Sequence, residues 1–214
     1  MTWEMDSLAP VKLPDDLERR VTAYKAASAI LLIAVWGWFA LVRQDQTPIF
    51  VYLNIAVHET GHVLFRPFGE LTMLIMGSGF EVLFPLIVGV YFLVRRRDLV
   101  AAAICGGWAA SALASAATYI ADADDGRLAL LGATGPDAAG DWERILGAEF
   151  FDKVYLADPI AAKVRLLGFA LWFVALGLAT WAIVRSTRRP ARAAHAPIRR
   201  LAPIEPLDDE QMWR

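Results

Sequence analysis

A membrane-crossing helix needs roughly 20 mostly apolar residues, and apolar runs of about that length recur five times along the chain. They cover about 24–42, 48–65, 71–94, 99–120 and 160–184. The second opens on Pro48, a residue suited to the first turn of a helix because the missing N–H would lack a partner there anyway. The third is interrupted by Gly77-Ser78-Gly79, which predicts either a kink or a re-entrant extended piece. Extended backbone at membrane depth needs a protein-lined or wet surrounding, and there it could pair with a substrate held as a strand. The fourth run is crowded with Ala, Gly and Ser, a composition that lets helix backbones approach closely and so suits the centre of a bundle. The fifth carries Lys163 and Arg165 near its start, whose long stems can reach toward the interface. The expected fold is therefore all-α: a polytopic membrane helix bundle of about five transmembrane helices. Residues 1–22 form a polar N-terminal segment, 23–184 the helical domain with an acidic loop at 121–159, and 185–214 a C-terminal tail.

Composition strengthens this reading. The 214 residues are 57% hydrophobic and 21% charged, more apolar than a soluble domain of this length. A formal net charge of −2 excludes the basic excess of a nucleic-acid partner. The single cysteine, Cys105, cannot form an internal disulfide, so a metal would have to be held by His, Asp and Glu. The first run follows a charged stretch and lacks a small-x-small cleavage site, so it reads as an anchor rather than a signal peptide. Arg95, Arg96 and Arg97, and later Arg185, Arg188, Arg189 and Arg192, belong on the cytoplasmic side. The 121–159 loop, with nine acids against three bases, belongs opposite. Five crossings then place the N-terminus outside.

Within the second run stands His58-Glu59-Thr60-Gly61-His62, an HExxH sequence. On a helix, positions i and i+4 share a face, so His58 and His62 can offer imidazole nitrogens to one ion while Glu59 addresses the open coordination position. Two imidazoles and a carboxylate make a catalytic zinc set. Ionisable groups are costly at lipid depth, and their presence there points to function rather than packing. Asn54, one turn before His58, is a candidate to support a ligand or steady a substrate, and equally a candidate for plain helix-to-helix hydrogen bonding. The third ligand must come from elsewhere. Asp122, at the end of the fourth run, is the first choice, Asp141 in Gly140-Asp141-Trp142 the alternative, and Glu81 inside the third run the last. His195, among Arg and Ala in the tail, reads as solvent-exposed and unrelated to metal.

These residues resemble the site-two protease class of intramembrane zinc metallopeptidases. HETGHVLFRPFGE followed by MGSGFEVLFPL, then YIADAD and GDW, is similar to a group of small bacterial membrane proteins related to that class, over about Pro48 to Leu146. The resemblance implies His58 and His62 as zinc ligands, Glu59 as the base and Asp122 or Asp141 as third ligand. The Asn-Pro-Asp-Gly or Leu-Asp-Gly motif of the class is absent, Asp124-Asp125-Gly126 being the nearest sequence. Its relatives often carry His where Gly140 stands. The expected function is zinc-dependent hydrolysis of membrane-associated peptides by an integral protein of a bacterial cell membrane, with the lipid bilayer and a peptide or protein substrate as partners. The competing expectation is a non-catalytic membrane scaffold or partner-binding protein with structural zinc or none. A small transporter is a third.

Overall fold

The structure, a computed structural model, describes residues 15–44, 48–128 and 139–188. They are helical and form a bundle. Its long elements are α1 (Asp15–Gly37, continued by a π-helical turn to Arg43), α2 (Pro48–Phe65), α3 (Glu70–Tyr91) and α4 (Leu99–Ala121). A short α5 (Asp141–Leu146) lies in the acidic loop, and α6 (Ala157–Arg188) closes the described chain. His195, expected to be unrelated to metal, lies outside the described residues, as do Arg189 and Arg192.

Among the described residues, four helices are long and apolar enough to cross a membrane: α1, α3, α4 and α6, with their short flanking turns. That is compatible with an integral membrane protein. The distribution of side-chain size agrees, since the interior is built from small residues while large ones face outward. Ala103, Ala109, Ala110, Ala112 and Ala117 of α4 are fully buried, whereas Leu31, Ile87, Leu166 and Phe173 are more than 60% exposed. In water this arrangement would forfeit the hydrophobic term, but in lipid the tails solvate the outer side chains and the helices cohere by close packing.

α4 is the axis of the bundle. A Cβ on Gly107 would stand 3.0 Å from Ile33 Cγ1, so the bare backbone there lets α1 approach. Trp172 of α6 donates its indole N–H to the Ile33 carbonyl at 2.8 Å, tying α6 to α1. Residue pairings fix the directions. Ile33 meets Gly107, and Leu41 meets Gly168 beside Ala110 and Leu113, so α1 runs parallel to α4 and α6 antiparallel. Gly89 faces Cys105, and Phe84 packs edge-on against Trp108 with ring centroids 5.7 Å apart, so α3 is also antiparallel to α4. The four apolar helices thus alternate in direction without α2.

This differs from the five alternating crossings expected. α2 forms over the residues assigned to the second run, but its Asn, Glu and two His leave it outside the set long and apolar enough to cross. It lies antiparallel against α3, as the pairing of His62 with Met73 and of His58 with Glu81 shows. Consequently the start of α1, the α3–α4 turn and the end of α6 share one end of the bundle, where they line a common cavity. The expectation of an N-terminus opposite the arginine-rich turn is corrected accordingly. The re-entrant expectation is corrected as well: α3 is a continuous helix through Gly77-Ser78-Gly79 and Pro85.

Candidate metal centre

The HExxH residues fall in the C-terminal half of α2, and the helix does what its spacing requires. His58 and His62 lie one turn apart, their ring centroids 4.7 Å from each other. Behind them α3 comes close enough that a Cβ on Gly77 would stand 2.6 Å from His62 Nε2 and 2.7 Å from His58 Nε2. Gly77 therefore serves as bare wall against the imidazole pair rather than as a helix breaker. Any side chain at 77 would occupy the space between the ring nitrogens.

The third group arrives from the acidic loop. Asp141 opens α5 and places one carboxylate oxygen, Oδ2, 3.0 Å from His58 Nε2 and 3.1 Å from His62 Nε2. Burial would raise the pKa of this carboxyl, but when the imidazoles are protonated their hydrogen bonds from His58 and His62 outweigh it and hold the group down at about 2. Several contacts deliver the loop to this spot. The Asp141 amide donates to the Tyr119 hydroxyl at the end of α4, 2.9 Å away, and the Tyr119 ring meets His58 edge-on. The Trp142 indole donates to Ser78 Oγ of α3 at 3.0 Å. Glu143 turns back to accept from the Gly140 amide at 3.2 Å, satisfying one of the free N–H groups at the helix start. Arg144 joins Glu70, at the start of α3, to Glu149 beyond α5. Those two carboxylates push the Arg144 guanidinium pKa upward, while Arg144 holds the Glu149 carboxyl below the usual carboxylate range.

The far sides of both rings are engaged too. His62 Nδ1 lies 2.9 Å from the Met73 carbonyl, which can only accept, so Nδ1 carries the proton and donates it. His58 Nδ1 faces Oε2 of Glu81 at 3.5 Å, and Glu81 is buried with a second oxygen, Oε1, that has no hydrogen-bond partner. Neutral rings protonated at Nδ1 turn bare Nε2 lone pairs toward the Asp141 oxygen. Lone pair against lone pair is repulsive, and a cation among the three atoms removes the conflict. Two Nε2 donors and a carboxylate oxygen, with each Nδ1 held from behind, fit a zinc ion by donor type and by outer-sphere support. Glu59 is exposed, and its carboxylate lies with nitrogens of His58 and His62 in a group whose ligand atoms are within 4.8 Å of one another.

No family model, curated protein or solved structure matches the chain.

Of the acids weighed from sequence, the structure brings Asp141 to the histidines and sends Asp122 elsewhere. Asp122 ends α4, and its two carboxylate oxygens accept from the amides of Arg127 at 3.0 Å and Leu128 at 2.9 Å, shaping the turn after the helix. Depth explains the outcome: Asp122 sits past the last turn of α4, whereas Asp141 returns on a separate segment that folds over the helix end. Glu81 stands behind His58 rather than beside the shared oxygen. Asn54 is buried, and its side-chain oxygen accepts from the Trp108 indole at 2.9 Å, so it links α2 to α4 instead of touching either imidazole. Sequence reasoning missed Tyr119, Ser78 and Arg144. A hydroxyl or guanidinium acting through a loop backbone leaves no spacing pattern, although Trp142 beside Asp141 hinted that this loop has an anchor.

Proposed function

We propose that the protein is a membrane-embedded zinc metallopeptidase that hydrolyses peptide bonds of membrane-associated substrates, akin to the site-two protease class and acting in a bacterial cell membrane. The observation that carries the reading is the convergence of His58 Nε2 and His62 Nε2 on one Asp141 oxygen, with His62 Nδ1 donating away from it and Glu81 behind His58. In this reading His58, His62 and Asp141 hold the ion. Zinc, when bound, polarises a carbonyl and lowers the pKa of water toward about 7.

The chain's own groups do the rest. Glu59 projects from the same turn of α2 as the histidines and is exposed, so it is free to take a proton from water and pass it to the leaving amine. Met73 and Glu81 keep the two rings in one orientation, which favours a rigid ligand set. Tyr119 and Trp142 hold Asp141 in place and cover the side of the site nearest α4 and α3. The basic turn and the site occupy opposite ends of the bundle. By the excess of Arg in the α3–α4 turn and at the end of α6, the site opens toward the non-cytoplasmic side, with both ends of the described chain on the cytoplasmic side.

A second reading has one observation in its favour. The nearness of the Glu59 carboxylate to both histidines would also allow it to be a fourth ligand, closing the site into structural zinc in a non-catalytic scaffold. One experiment separates the two. Metal analysis of the purified protein is expected to find about one zinc per chain, lost in His58→Ala, His62→Ala and Asp141→Ala. Glu59→Gln keeps the zinc and abolishes cleavage of a membrane-tethered peptide if Glu59 is the base. Loss of zinc in Glu59→Gln supports the scaffold, and zinc that survives both histidine changes ends the metal-centre reading.

A further inference from the structure

At the end of the bundle remote from the metal centre, the start of α1, the α3–α4 turn and the end of α6 line an open cavity of about 1250 Å³. Its walls are of two kinds. One part of the lining is apolar, with Ala29 and Leu32 from α1 and Val100 and Ile104 from α4. At the mouth the walls are cationic: Lys25, Arg96, Arg97 and Arg185 come from three separate stretches of chain. None of these four is in an ion pair among the described residues, and all four are exposed. Two acids share the lining, Glu18 and Asp98. Asp98 is occupied as the cap of α4, where one carboxylate oxygen accepts from the amides of Val100 and Ala101 at 3.0 Å each. Those bonds fix the carboxylate at the helix start, and the lining as a whole still carries five basic side chains, Arg19 included, against these two acids.

We infer that this cavity binds an anionic phospholipid, its phosphate headgroup among Lys25, Arg96, Arg97 and Arg185 and an acyl chain along the apolar groove between α1 and α4. The two-part lining argues for it. A soluble anion would use the rim and leave the groove unfilled, while a zwitterionic lipid would use the groove and waste the charge. An anionic lipid satisfies both, and the bundle axis sets the rim at the depth where headgroups lie. Clustered Lys and Arg at the ends of apolar helices attract anionic lipid with about fivefold in affinity per basic side chain. The site is independent of the metal centre, which lies at the far end of α3 and α4.

The test uses the full chain in neutral detergent, with lipid binding read by intact-complex mass spectrometry and by the shift in melting temperature. The probes are phosphatidylglycerol, phosphatidylcholine with the same chains, and millimolar inorganic phosphate. Phosphatidylglycerol is expected to bind at least about tenfold more tightly than phosphatidylcholine and to raise the melting temperature, with no effect of phosphate. Arg97→Gln should cost about fivefold, and the combined Lys25→Gln, Arg96→Gln, Arg97→Gln, Arg185→Gln protein should lose the preference. Arg127→Gln with Lys153→Gln, basic residues outside this cavity, should leave it intact. Because all four rim residues are exposed, the variants should melt like the parent when no lipid is added, which separates lost binding from lost folding. Equal binding of the two lipids, a preference that survives the fourfold change, or stabilisation by phosphate as large as that by phosphatidylglycerol would each overturn the inference.

Discussion

Two sides of this bundle bury their interiors by opposite means. Where α1, α4 and α6 meet, the contact is made of alanines with Ile33, Leu41 and Trp172, and the main polar atom involved, the Trp172 indole N–H, is bonded to a carbonyl. Where α2, α3 and α5 meet the same α4, the buried and half-buried groups are imidazoles, carboxylates, a phenol and an indole. Helix cohesion in lipid does not need the second kind of interface, because close packing of small residues suffices. Burying ionisable groups is costly unless they are paired, and under the proposed function their convergence on one point serves a metal ion rather than helix cohesion. The comparison predicts that changes on one side act on stability and changes on the other act on metal.

The largest effects should come from the ligands. Asp141→Ala or His62→Ala should lower zinc affinity by well over a hundredfold, measured by competition with a chelating dye, because a site reduced to two protein ligands is poorly matched to zinc. The mirror experiment is Gly107→Leu, which forces a side chain into the space held by Ile33. Overpacking of this sort costs about 1–3 kcal/mol and should appear as a lower melting temperature, with zinc stoichiometry unchanged in the folded fraction. If Gly107→Leu removed zinc as thoroughly as His62→Ala, the two sides would not be separable.

A sharper probe sits on the boundary. Gly77→Ala keeps α3 helical and even favours the helix by local propensity, yet its methyl would stand 2.6 Å from His62 Nε2. A change that improves the helix while spoiling the centre should lower zinc affinity at least about tenfold with little loss of helical circular dichroism. Of comparable size is the effect of Glu81→Leu, which removes the carboxylate behind His58. Groups that orient a metal-bound imidazole typically contribute about 10–100-fold in affinity. Glu81→Gln retains an acceptor and should restore part of that loss, an outcome that a purely steric role for Glu81 would not give.

The same contrast explains what could be read from the sequence. The packed side was legible because it is written in periodic terms: apolar runs of spanning length, and a fourth run whose Ala, Gly and Ser content marked it as central. The pair His58 and His62 was legible for the same reason, since one helical turn fixes their relation. Relations that pass through a loop were not. Asp141 lies 83 residues from His58, and nothing in its local spacing states that Tyr119, Ser78 and Arg144 bring it back to α2. Asp122 looked better placed because it ends a run, but a helix end has free backbone groups nearby, and the carboxylate serves them. Gly77-Ser78-Gly79 misled in the other direction. Glycine in a helix can mean a break or a close neighbour, and only the position of α2 decides between them.

The smallest predicted effect concerns the clamp that steadies α5. Arg144 bridges Glu70 and Glu149, and the Glu149 carboxyl is held below its ordinary value by that contact. A carboxyl whose pKa is depressed on folding contributes stability above its unfolded value of 4.5 and loses it as pH falls through the lowered folded value. Glu149 is exposed, so water and salt screen the pair and only a modest local effect is expected. Hydrogen exchange of the α5 amides should therefore be slow and insensitive between pH 5 and 7 once corrected for the intrinsic rate, then quicken by no more than about fivefold as acid protonates Glu149. Arg144→Gln should show the quickened exchange already at neutral pH and remove the acid step. Because the clamp acts on the loop that carries Asp141 and on no residue of α1 or α6, exchange at Ile33 and Ala175 should not respond in either experiment. A response there would mean that the polar and packed sides open together, and the division drawn between them would fail.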